Sequence, residues 1–243
     1  MADSDSLLPK SSVPGLIPTL NYTGWMTEKL DRYSADFAQY AGTVNNSVLD
    51  IGCAYGVATL VALKNGARVL ASDMEPAHLE ILTKRVPKRD RERLRTQTST
   101  LPNSDFPTAD FDAILAARVL HFLNGDDIRL SVSKMFNWLR PKGRLYLVTD
   151  SPYIGPWACH AQRYEERKNS GHEWPGFVED YRSLLPASSN PNKQKEFINP
   201  LDPDILTREC INAGFKVISA EFLPGSTKHA KGKEHAGIIA FKP

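Results

Sequence analysis

The chain has 243 residues, and its 30 Lys and Arg nearly balance its 28 Asp and Glu, which gives a formal net charge of +2. Hydrophobic residues make up 41% and charged residues 24%, as in an ordinary globular domain with a full core. This balance, without a basic stripe carrying interleaved aromatics, argues against a nucleic-acid partner. The three cysteines, Cys53, Cys159 and Cys210, form no CxxC pair, so we expect neither a disulfide framework nor a metal site.

The chain holds no run of 18 apolar residues and begins with an acidic, Ser- and Pro-rich stretch. A membrane span needs such a run, and a secretory signal needs a basic start followed by an apolar segment. We therefore expect a cytoplasmic protein without a membrane partner, present as a monomer or homodimer.

The first 42 residues are predicted to hold an arm and a helix. Residues 1–20 carry Ser and Pro too evenly for a regular element, and we predict a flexible arm. A helical lid is predicted over 21–42, with Thr23 as its cap and Gly42 at its end. Large apolar side chains recur there at helical spacing, namely Trp25, Leu30, Tyr33, Phe37 and Tyr40.

Strand-like and helix-like segments then alternate along the chain. Short apolar runs predict strands over 47–51, 68–72, 111–116 and 145–148, and a further strand is predicted over 94–98. Helices are predicted over 57–64, from Pro76 onward, and over 126–139. Such alternation is typical of an α/β domain whose parallel strands are joined by right-handed crossovers.

Residues 151–199 interrupt this rhythm with five prolines and a polar run over 188–195, and we predict a cap insertion there. Regular structure resumes with a helix over 202–213 and strands over 215–223 and 236–241. The loop 224–234 between these strands predicts a hairpin, because a parallel crossover usually needs a dozen residues and a helix. The whole chain, 1–243, is predicted to be one domain.

A glycine-containing turn follows the first strand of the sheet, in the segment VLDIGCAYG over 48–56. Gly52 and Gly56 allow the backbone to approach a ligand closely, and the helix that begins after Gly56 offers unpaired N–H groups. Several kinds of nucleotide-binding fold share this feature, so it is a weak signal by itself.

Asp73 raises the specificity of that signal because it lies at the tip of the next strand. A carboxylate there can accept hydrogen bonds from both hydroxyls of a ribose, and open α/β sheets bind nucleosides at this edge. The alternative is that Asp73 only caps the helix that begins at Pro76.

Together these segments resemble the class I S-adenosylmethionine-dependent methyltransferases over roughly 45–150 and the last two strands. The resemblance is carried by DIGCAYG over 50–56, Asp73-Met74, Leu101-Pro102, Phe111-Asp112, ARVLHF over 117–122 and NWLRPKGR over 137–144. It implies a Rossmann-like, seven-stranded, mostly parallel sheet with helices on both faces and an antiparallel last strand. The implied cofactor is S-adenosyl-L-methionine.

The resemblance also implies roles for individual residues. The loop from Gly52 to Gly56 would pass the methionine part, Asp73 would hold the ribose, Met74 would pack on the adenine, and Arg118 and Val119 would lie beneath the sulfonium. Plain core packing is the alternative for Met74 and Val119. The implied cofactor contacts are Asp50, Gly52, Ala54, Gly56, Asp73, Met74, Ser99, Thr100, Leu101, Arg118 and Val119.

The chain departs from the family pattern in two ways. Ala54 stands where many members have glycine, and Ser99 and Thr100 stand where many have an aspartate that binds the adenine amine. The order GxAxG also fits poorly to the three glycines of a Rossmann dehydrogenase, and no GK[ST] phosphate loop is present.

The candidate catalytic residues are His121, Tyr153 and His160, because a base is needed when the methyl acceptor is a hydroxyl or an ammonium. Aromatic side chains concentrate in the two segments outside the sheet pattern. Those expected at a substrate lid are Tyr22, Trp25, Tyr33, Tyr153, Trp157 and Trp174. Aromatic rings suit a small, partly apolar or cationic substrate, although they can also serve only to bury the cap on the sheet.

We therefore predict a methyltransferase acting on a small, aromatic or cationic metabolite. The family's base-methylating enzymes often carry an Asn/Asp-Pro-Pro-Tyr motif after the fourth strand, where this chain reads ARVL over 117–120. Two alternatives stay open. In the first, the enzyme cyclises the cofactor's own aminobutyryl group to azetidine-2-carboxylate and releases methylthioadenosine. In the second, the protein is a non-catalytic cofactor-binding module.

Overall fold

Strands and helices alternate along the chain in a computed structural model that describes residues 7–181, 196–225 and 231–243. In chain order, the elements are β1 (Leu16–Pro18), β2 (Trp25–Thr27), α1 (Arg32–Ala41), β3 (Ser47–Ile51), α2 (Val57–Lys64), β4 (Arg68–Asp73), α3 (Pro76–Arg85), β5 (Leu94–Thr98), β6 (Phe111–Ala117), α4 (Gly125–Trp138), β7 (Leu139–Asp150), α5 (Ala161–Asn169), α6 (Pro203–Asn212), β8 (Lys216–Leu223) and β9 (His235–Phe241).

The main sheet has seven strands in the order β5-β4-β3-β6-β7-β9-β8. Neighbouring strands from β5 to β7 are parallel, whereas β9 runs antiparallel to both β7 and β8. The predicted fold class is confirmed, including the antiparallel last strand and the hairpin of the last two strands. Within the described residues, no helix is both long and apolar enough to cross a bilayer.

Central strands are apolar on both faces because each face is covered by helices. Successive side chains of a strand point to opposite faces, so Val48 and Leu49 of β3 enter two separate cores. Buried residues of α1, α2 and α3 cover the Val48 face, and those of α4 and α6 cover the Leu49 face. This two-sided cover fixes the sheet and leaves the carboxyl ends of its strands as the open edge.

The N-terminal segment differs from the prediction. Residues 1–6 lie outside the described part of the chain, but the predicted arm also contains β1, which pairs antiparallel with β2 over Leu16↔Thr27 to Pro18↔Trp25. Thr23 does not cap a helix. It lies in the hairpin loop and donates to Asn21 Oδ1.

The helix of this region begins later, because Asp31 is its cap and accepts from Tyr33 N and Ser34 N. Most of this helix is a layer of the core. Phe37 is fully buried, with its ring centroid 5.7 Å from that of Tyr146 on β7. The first turn of the helix reaches the open edge through Ser34, and the β1–β2 hairpin reaches it as well. The region 21–42 is therefore a strand followed by a shorter helix, and not the single helix that was predicted.

The insertion after β7 is described over 151–181 and 196–199. It contains a short 3-10 helix (Gly155–His160), α5, and one antiparallel bridge between Val178 and Ile198. The predicted polar run over 188–195 lies outside the described residues.

Candidate active site

A cavity of about 1120 Å³ opens at the carboxyl edge of the parallel strands. The turns after β3, β4, β5 and β6 line it from the sheet side, and the hairpin and the insertion line it from outside. Strand order reverses between β3 and β6, and open α/β sheets bind ligands at such a reversal. Sites for one small ligand measure ~300–1,000 Å³, so this cavity has room for a nucleoside and a second small molecule.

The two glycines of the turn after β3 have different roles. Gly52 lines the cavity at φ +67°, and a Cβ there would lie 2.4 Å from Val119 Cγ2. Gly56 is not part of the lining. It begins α2 at φ +79°, and a Cβ there would lie 2.2 Å from Leu82 Cδ1. The predicted ligand contact at Gly56 is therefore replaced by close packing of α3.

Three residues other than glycine adopt left-handed backbone at the cavity wall. They are Tyr22 at φ 60°, Ala54 at φ 45° and Arg118 at φ 59°. Such conformations cost energy for L-residues and tend to cluster at functional sites. Ala54 thus occupies a position that suits glycine, which explains the glycine found in many family members there.

Asp50 is a buried carboxylate at the base of the cavity, where it accepts a hydrogen bond from Thr59 Oγ1 at 2.6 Å. Burial raises its pKa to about 6, Asp73 adds to the rise, and the Thr59 hydrogen bond opposes it. A carboxylate with a raised pKa gains from a cationic neighbour. A ligand ammonium beside Asp50 would keep it ionised.

Asp73, at the end of β4, is held by three donors. Its Oδ2 accepts from Ala54 N at 2.8 Å, and its Oδ1 accepts from Glu75 N at 2.9 Å and lies 3.0 Å from His78 Nδ1. Because an ionised carboxylate offers about four acceptor positions, Oδ2 keeps one for a ligand hydroxyl. Asp73 therefore orients the following turn and also faces the cavity.

The predicted adenine side is assembled at one wall of the cavity. Met74, Ser99, Thr100 and Leu101 all line it, and Met74 is 48% exposed. The Ser99 hydroxyl is already engaged, since it lies 2.5 Å from Ser72 Oγ and accepts from Ser104 Oγ at 3.0 Å. This network positions the turn after β5 in place of the aspartate that is frequent in the family.

A histidine that the sequence reasoning missed stands on the opposite side of the cavity. His235 is the first residue of β9, and its Nδ1 lies 3.0 Å from Asp150 Oδ1 at the end of β7. His121, His235 and Arg118 hold the pKa of Asp150 below its usual range despite the opposing effect of burial. An ionised carboxylate only accepts, so His235 donates through Nδ1 and its Nε2 is the nitrogen able to take a proton.

His121 lines the same cavity but is engaged differently. Asp150 N donates to His121 Nδ1 at 3.2 Å, so the ring proton sits on Nε2, which lies 3.8 Å from Asp150 Oδ2. Burial lowers the pKa of His121, against the attraction of Asp150. This arrangement makes His121 a neutral partner of Asp150 and does not favour it as the proton acceptor.

The other predicted catalytic residues are dispersed. Tyr153 lines the cavity, but its hydroxyl donates to Glu165, and burial together with Glu165 raises its pKa. His160 lies in a separate small cleft beside Arg163 and Tyr164. The structure therefore does not bring His160 into the cavity.

The predicted lid residues also separate. Tyr22 and Trp25 of the hairpin line the cavity. Tyr33 does not, because its hydroxyl bonds Ser219 and Glu221 on β8. Trp174 packs over Gly125 and beneath the guanidinium of Arg208. The side chain of Trp157 lies outside the described residues.

An adenosyl ligand with an amino-acid tail fits this donor and acceptor set. Asp73 offers an acceptor to ribose hydroxyls, Met74 and Leu101 offer apolar surface, and Asp50 offers a buried negative charge. Arg118 also lines the cavity, where its Nη1 lies 3.4 Å from Asp31 Oδ2. The described residues contain no cluster of three or more His, Cys, Asp or Glu side chains arranged to hold a metal.

Comparisons with known proteins agree with this geometry. Residues 48–143 match the family model described as a methyltransferase domain. Over 142 residues the chain is 28% identical to the carboxy-S-adenosyl-L-methionine synthase of Cronobacter sakazakii (strain ATCC BAA-894). The aligned region covers 56% of this chain and 52% of the synthase. The chain thus spans about half the length of that relative.

Solved methyltransferases share the fold at low sequence identity. A Methanosarcina mazei enzyme, described as a SAM-dependent methyltransferase, superposes with a TM-score of 0.63 and 16% identity over 82% of this chain and 92% of its own. The Burkholderia thailandensis 1,6-didemethyltoxoflavin-N1-methyltransferase gives a TM-score of 0.59 and 18% identity over 87% and 79% of the two chains. The chain is thus similar to S-adenosylmethionine-dependent methyltransferases: the segment 48–143 at the cavity matches a methyltransferase domain, and the solved methyltransferases share its fold.

Proposed function

We propose that this chain, as one domain over 1–243, binds S-adenosylmethionine and transfers its methyl group to a small molecule. One observation carries the proposal. A single cavity joins the Asp50 and Asp73 carboxylates to the His235–Asp150 pair, and it is large enough for a cofactor and an acceptor. The methylthioadenosine-releasing alternative needs no second binding space.

The sheet side of the cavity would hold the cofactor. Asp73 Oδ2 accepts from the ribose, Met74 and Leu101 cover the adenine, and Asp50 pairs with the ammonium of the methionine part. Gly52 and Val119 form the surface beneath the sulfur. Each of these groups lies near the carboxyl end of a strand or in the turn that follows it, so the sheet sets their spacing.

The cofactor supplies an electrophilic methyl group bonded to a sulfonium, and the chain supplies alignment, shielding from water and proton removal. His235 accepts the acceptor's proton at Nε2 while Asp150 stabilises the imidazolium that forms. Trp25 and the insertion exclude water from above. This assignment replaces His121, Tyr153 and His160 as the base.

The acceptor is proposed to be a small aromatic or cationic metabolite with an O–H or N–H group. Aromatic side chains of Trp25, Phe122 and Tyr181 line the acceptor side, and aromatic rings pack against flat molecules and attract cations. The toxoflavin methyltransferase, described with 1,6-didemethyltoxoflavin and S-adenosylhomocysteine bound, lends support by its shared fold. No nucleic-acid or membrane partner, a cytoplasmic location, and a monomeric or homodimeric state remain predictions.

A second candidate function uses the same cofactor, but its aminobutyryl group reacts in place of its methyl group. The synthase relative is named for making a modified S-adenosylmethionine, so chemistry on the cofactor itself belongs to the same group of proteins. Cyclisation to azetidine-2-carboxylate is one form of such chemistry. A non-catalytic cofactor-binding module is the third candidate.

One labelling experiment separates the three candidates. The protein is incubated with S-adenosylmethionine carrying a ¹³C-methyl group, alone and with a panel of phenols, aromatic amines and imidazoles, and the products are read by mass spectrometry. Labelled acceptor and S-adenosylhomocysteine support methyl transfer. Methylthioadenosine without an acceptor supports cyclisation. Cofactor binding without any turnover supports the binding module, and tight NAD binding with no S-adenosylmethionine binding overturns all three.

A further inference from the structure

A buried histidine links the N-terminal hairpin to the cofactor carboxylate. His78 lies on α3 with only 1% of its surface exposed, and both ring nitrogens are engaged. Leu20 N donates to His78 Nε2 at 2.9 Å, and His78 Nδ1 lies 3.0 Å from Asp73 Oδ1. Because a backbone N–H only donates, Nε2 is the acceptor, and the ring proton on Nδ1 is donated to Asp73. One tautomer therefore serves both partners.

The rest of the hairpin's attachment is small. Ile17 packs with Ala54 and Tyr55 in a cluster separate from the two main cores. Tyr55 is fully buried, donates its hydroxyl to Pro18 O at 2.8 Å, and stacks edge-on against the His78 ring with centroids 4.8 Å apart. This cluster and the Tyr55 and His78 hydrogen bonds therefore attach the hairpin to the sheet domain.

The same histidine determines which oxygen of Asp73 remains open to a ligand. Oδ1 accepts from both Glu75 N and His78 Nδ1, which fills its two lone-pair positions. Among the residues that the structure describes, Oδ2 accepts only from Ala54 N, and it keeps one position toward the cavity. Loss of the His78 hydrogen bond would free the carboxylate to rotate away from that presentation.

We propose that His78 is a positioning residue that couples docking of the hairpin to cofactor binding at Asp73. The inference rests on the proposed function, because it assumes that Asp73 holds the ribose. A ligand hydroxyl that donates to Asp73 Oδ2 fixes the orientation of the carboxylate. The fixed Oδ1 favours the His78 tautomer with its proton on Nδ1. In that tautomer Nε2 is the acceptor for Leu20 N. Coupling of this kind is reciprocal, so loosening the hairpin must weaken the ligand and ligand binding must protect the hairpin.

The test uses the full chain and S-adenosylhomocysteine as the probe, with affinity from calorimetry and backbone protection from hydrogen exchange at residues 16–27. In the wild type, the probe should slow exchange of the Leu20 amide. His78→Asn keeps a short donor toward Asp73 and loses the acceptor for Leu20. It should cancel that protection and weaken probe binding by roughly 5- to 30-fold, the equivalent of ~1–2 kcal/mol.

Tyr55→Phe is the second variant, because it removes the hydroxyl that bonds Pro18 O and interacts with the Leu20 backbone, and it leaves the ring against His78. Since Asp73 accepts from Ala54 N, Glu75 N and His78 and not from this hydroxyl, coupling requires the variant to weaken probe binding as well as to speed exchange in the hairpin. His172→Asn is the matched control, since His172 is exposed and bonds Arg167 O on the insertion. It should change neither measurement.

The outcomes are distinguishable. Wild-type protein that binds the probe without any change in Leu20 exchange overturns the coupling and leaves the proposed function standing. The same conclusion follows if His78→Asn and Tyr55→Phe melt like the wild type and bind the probe with wild-type affinity. Wild-type protein that does not bind the probe overturns the proposed function, and the coupling with it.

Discussion

His235 and Asp150 meet at the cavity although 85 residues separate them in the chain, with His235 Nδ1 and Asp150 Oδ1 3.0 Å apart. The contact joins the first residue of β9 to the last residue of β7, the end pair of their antiparallel ladder. His121 Nε2 lies 3.8 Å from the other oxygen of Asp150, and its Nδ1 accepts from Asp150 N. Asp150 therefore contacts two imidazoles with opposite tautomers, one through its carboxylate and the other through its backbone N–H.

The first prediction distinguishes these two histidines. His235→Asn should lower kcat for the acceptor found by the labelling experiment by roughly 10²- to 10⁴-fold, the usual loss of a general base. Affinity for S-adenosylhomocysteine should stay unchanged, because His235 lies across the cavity from Asp73. His121→Asn is the comparison. It should lower thermal stability and should reduce kcat far less than His235→Asn does. A large loss of kcat in His121→Asn alone would reverse the assignment.

The second prediction concerns acid stability. The pKa of Asp150 is held below its unfolded value, so its contribution to the free energy of unfolding is present above about pH 4 and is lost as the pH falls through the folded pKa. Asp150→Asn should therefore be less stable than the wild type at pH 7 by about 1–3 kcal/mol. The difference should shrink as the pH falls from about 4 toward 2. Urea unfolding at stepwise pH values measures this difference in the free energy of unfolding. A difference that does not change with pH would contradict the lowered pKa of Asp150.

The third prediction concerns Asp50, whose pKa is shifted in the opposite direction from that of Asp150. Its folded pKa, about 6, exceeds the ordinary 3.8, so this group's contribution to the free energy of unfolding falls as the pH rises from 4 to 6. A ligand ammonium beside Asp50 should lower that pKa, so binding of S-adenosylhomocysteine at pH 6 should release about half a proton. Calorimetry in two buffers of different ionisation enthalpy measures the release. Asp50→Asn should abolish it, and buffer-independent heats for the wild type would place the ammonium elsewhere.

The fourth prediction concerns the backbone at Ala54, whose φ of 45° lies in the left-handed region. Glycine tolerates this conformation, whereas an alanine there is strained by ~1–2 kcal/mol. Ala54→Gly should therefore raise the free energy of unfolding by about 0.5–1 kcal/mol after the entropy of the unfolded glycine is subtracted. Ala62→Gly, within α2, should lower it by ~1 kcal/mol or more. An equal decrease in the free energy of unfolding of both variants would contradict backbone strain at Ala54.

The sheet was predictable because its strands are short apolar runs separated by turn residues. For example, β3 was predicted over 47–51 and is observed at Ser47–Ile51. The cofactor side was predictable for a related reason. In a parallel sheet all carboxyl ends lie at one edge, so Gly52, Asp73, Ser99 and Val119 reach the same cavity once their strands are identified.

Features that depend on long-range partners were not predictable from local pattern. Both Thr23 and Asp31 are acceptable helix caps by type, and only the packing of Phe37 against Tyr146 shows that the helix begins at Arg32. Gly56 is required by the Leu82 side chain of another helix. His235 has no motif around it, and its only local sign is a polar residue at the start of an apolar strand.

The reversed direction of β9 has a practical consequence for labelling the protein. A parallel last strand would have brought its final residue to the cavity, whereas the antiparallel strand brings its first and ends at Phe241 on the far edge of the sheet. There Lys242 N donates to Gly143 O, Lys242 O accepts from Lys142 N, and Lys242 Nζ donates to Phe136 O and Leu139 O. A fluorophore or affinity tag attached after Pro243 would therefore leave from the side opposite the cavity. One attached near the hairpin would sit at the entrance and compete with the molecules that enter it.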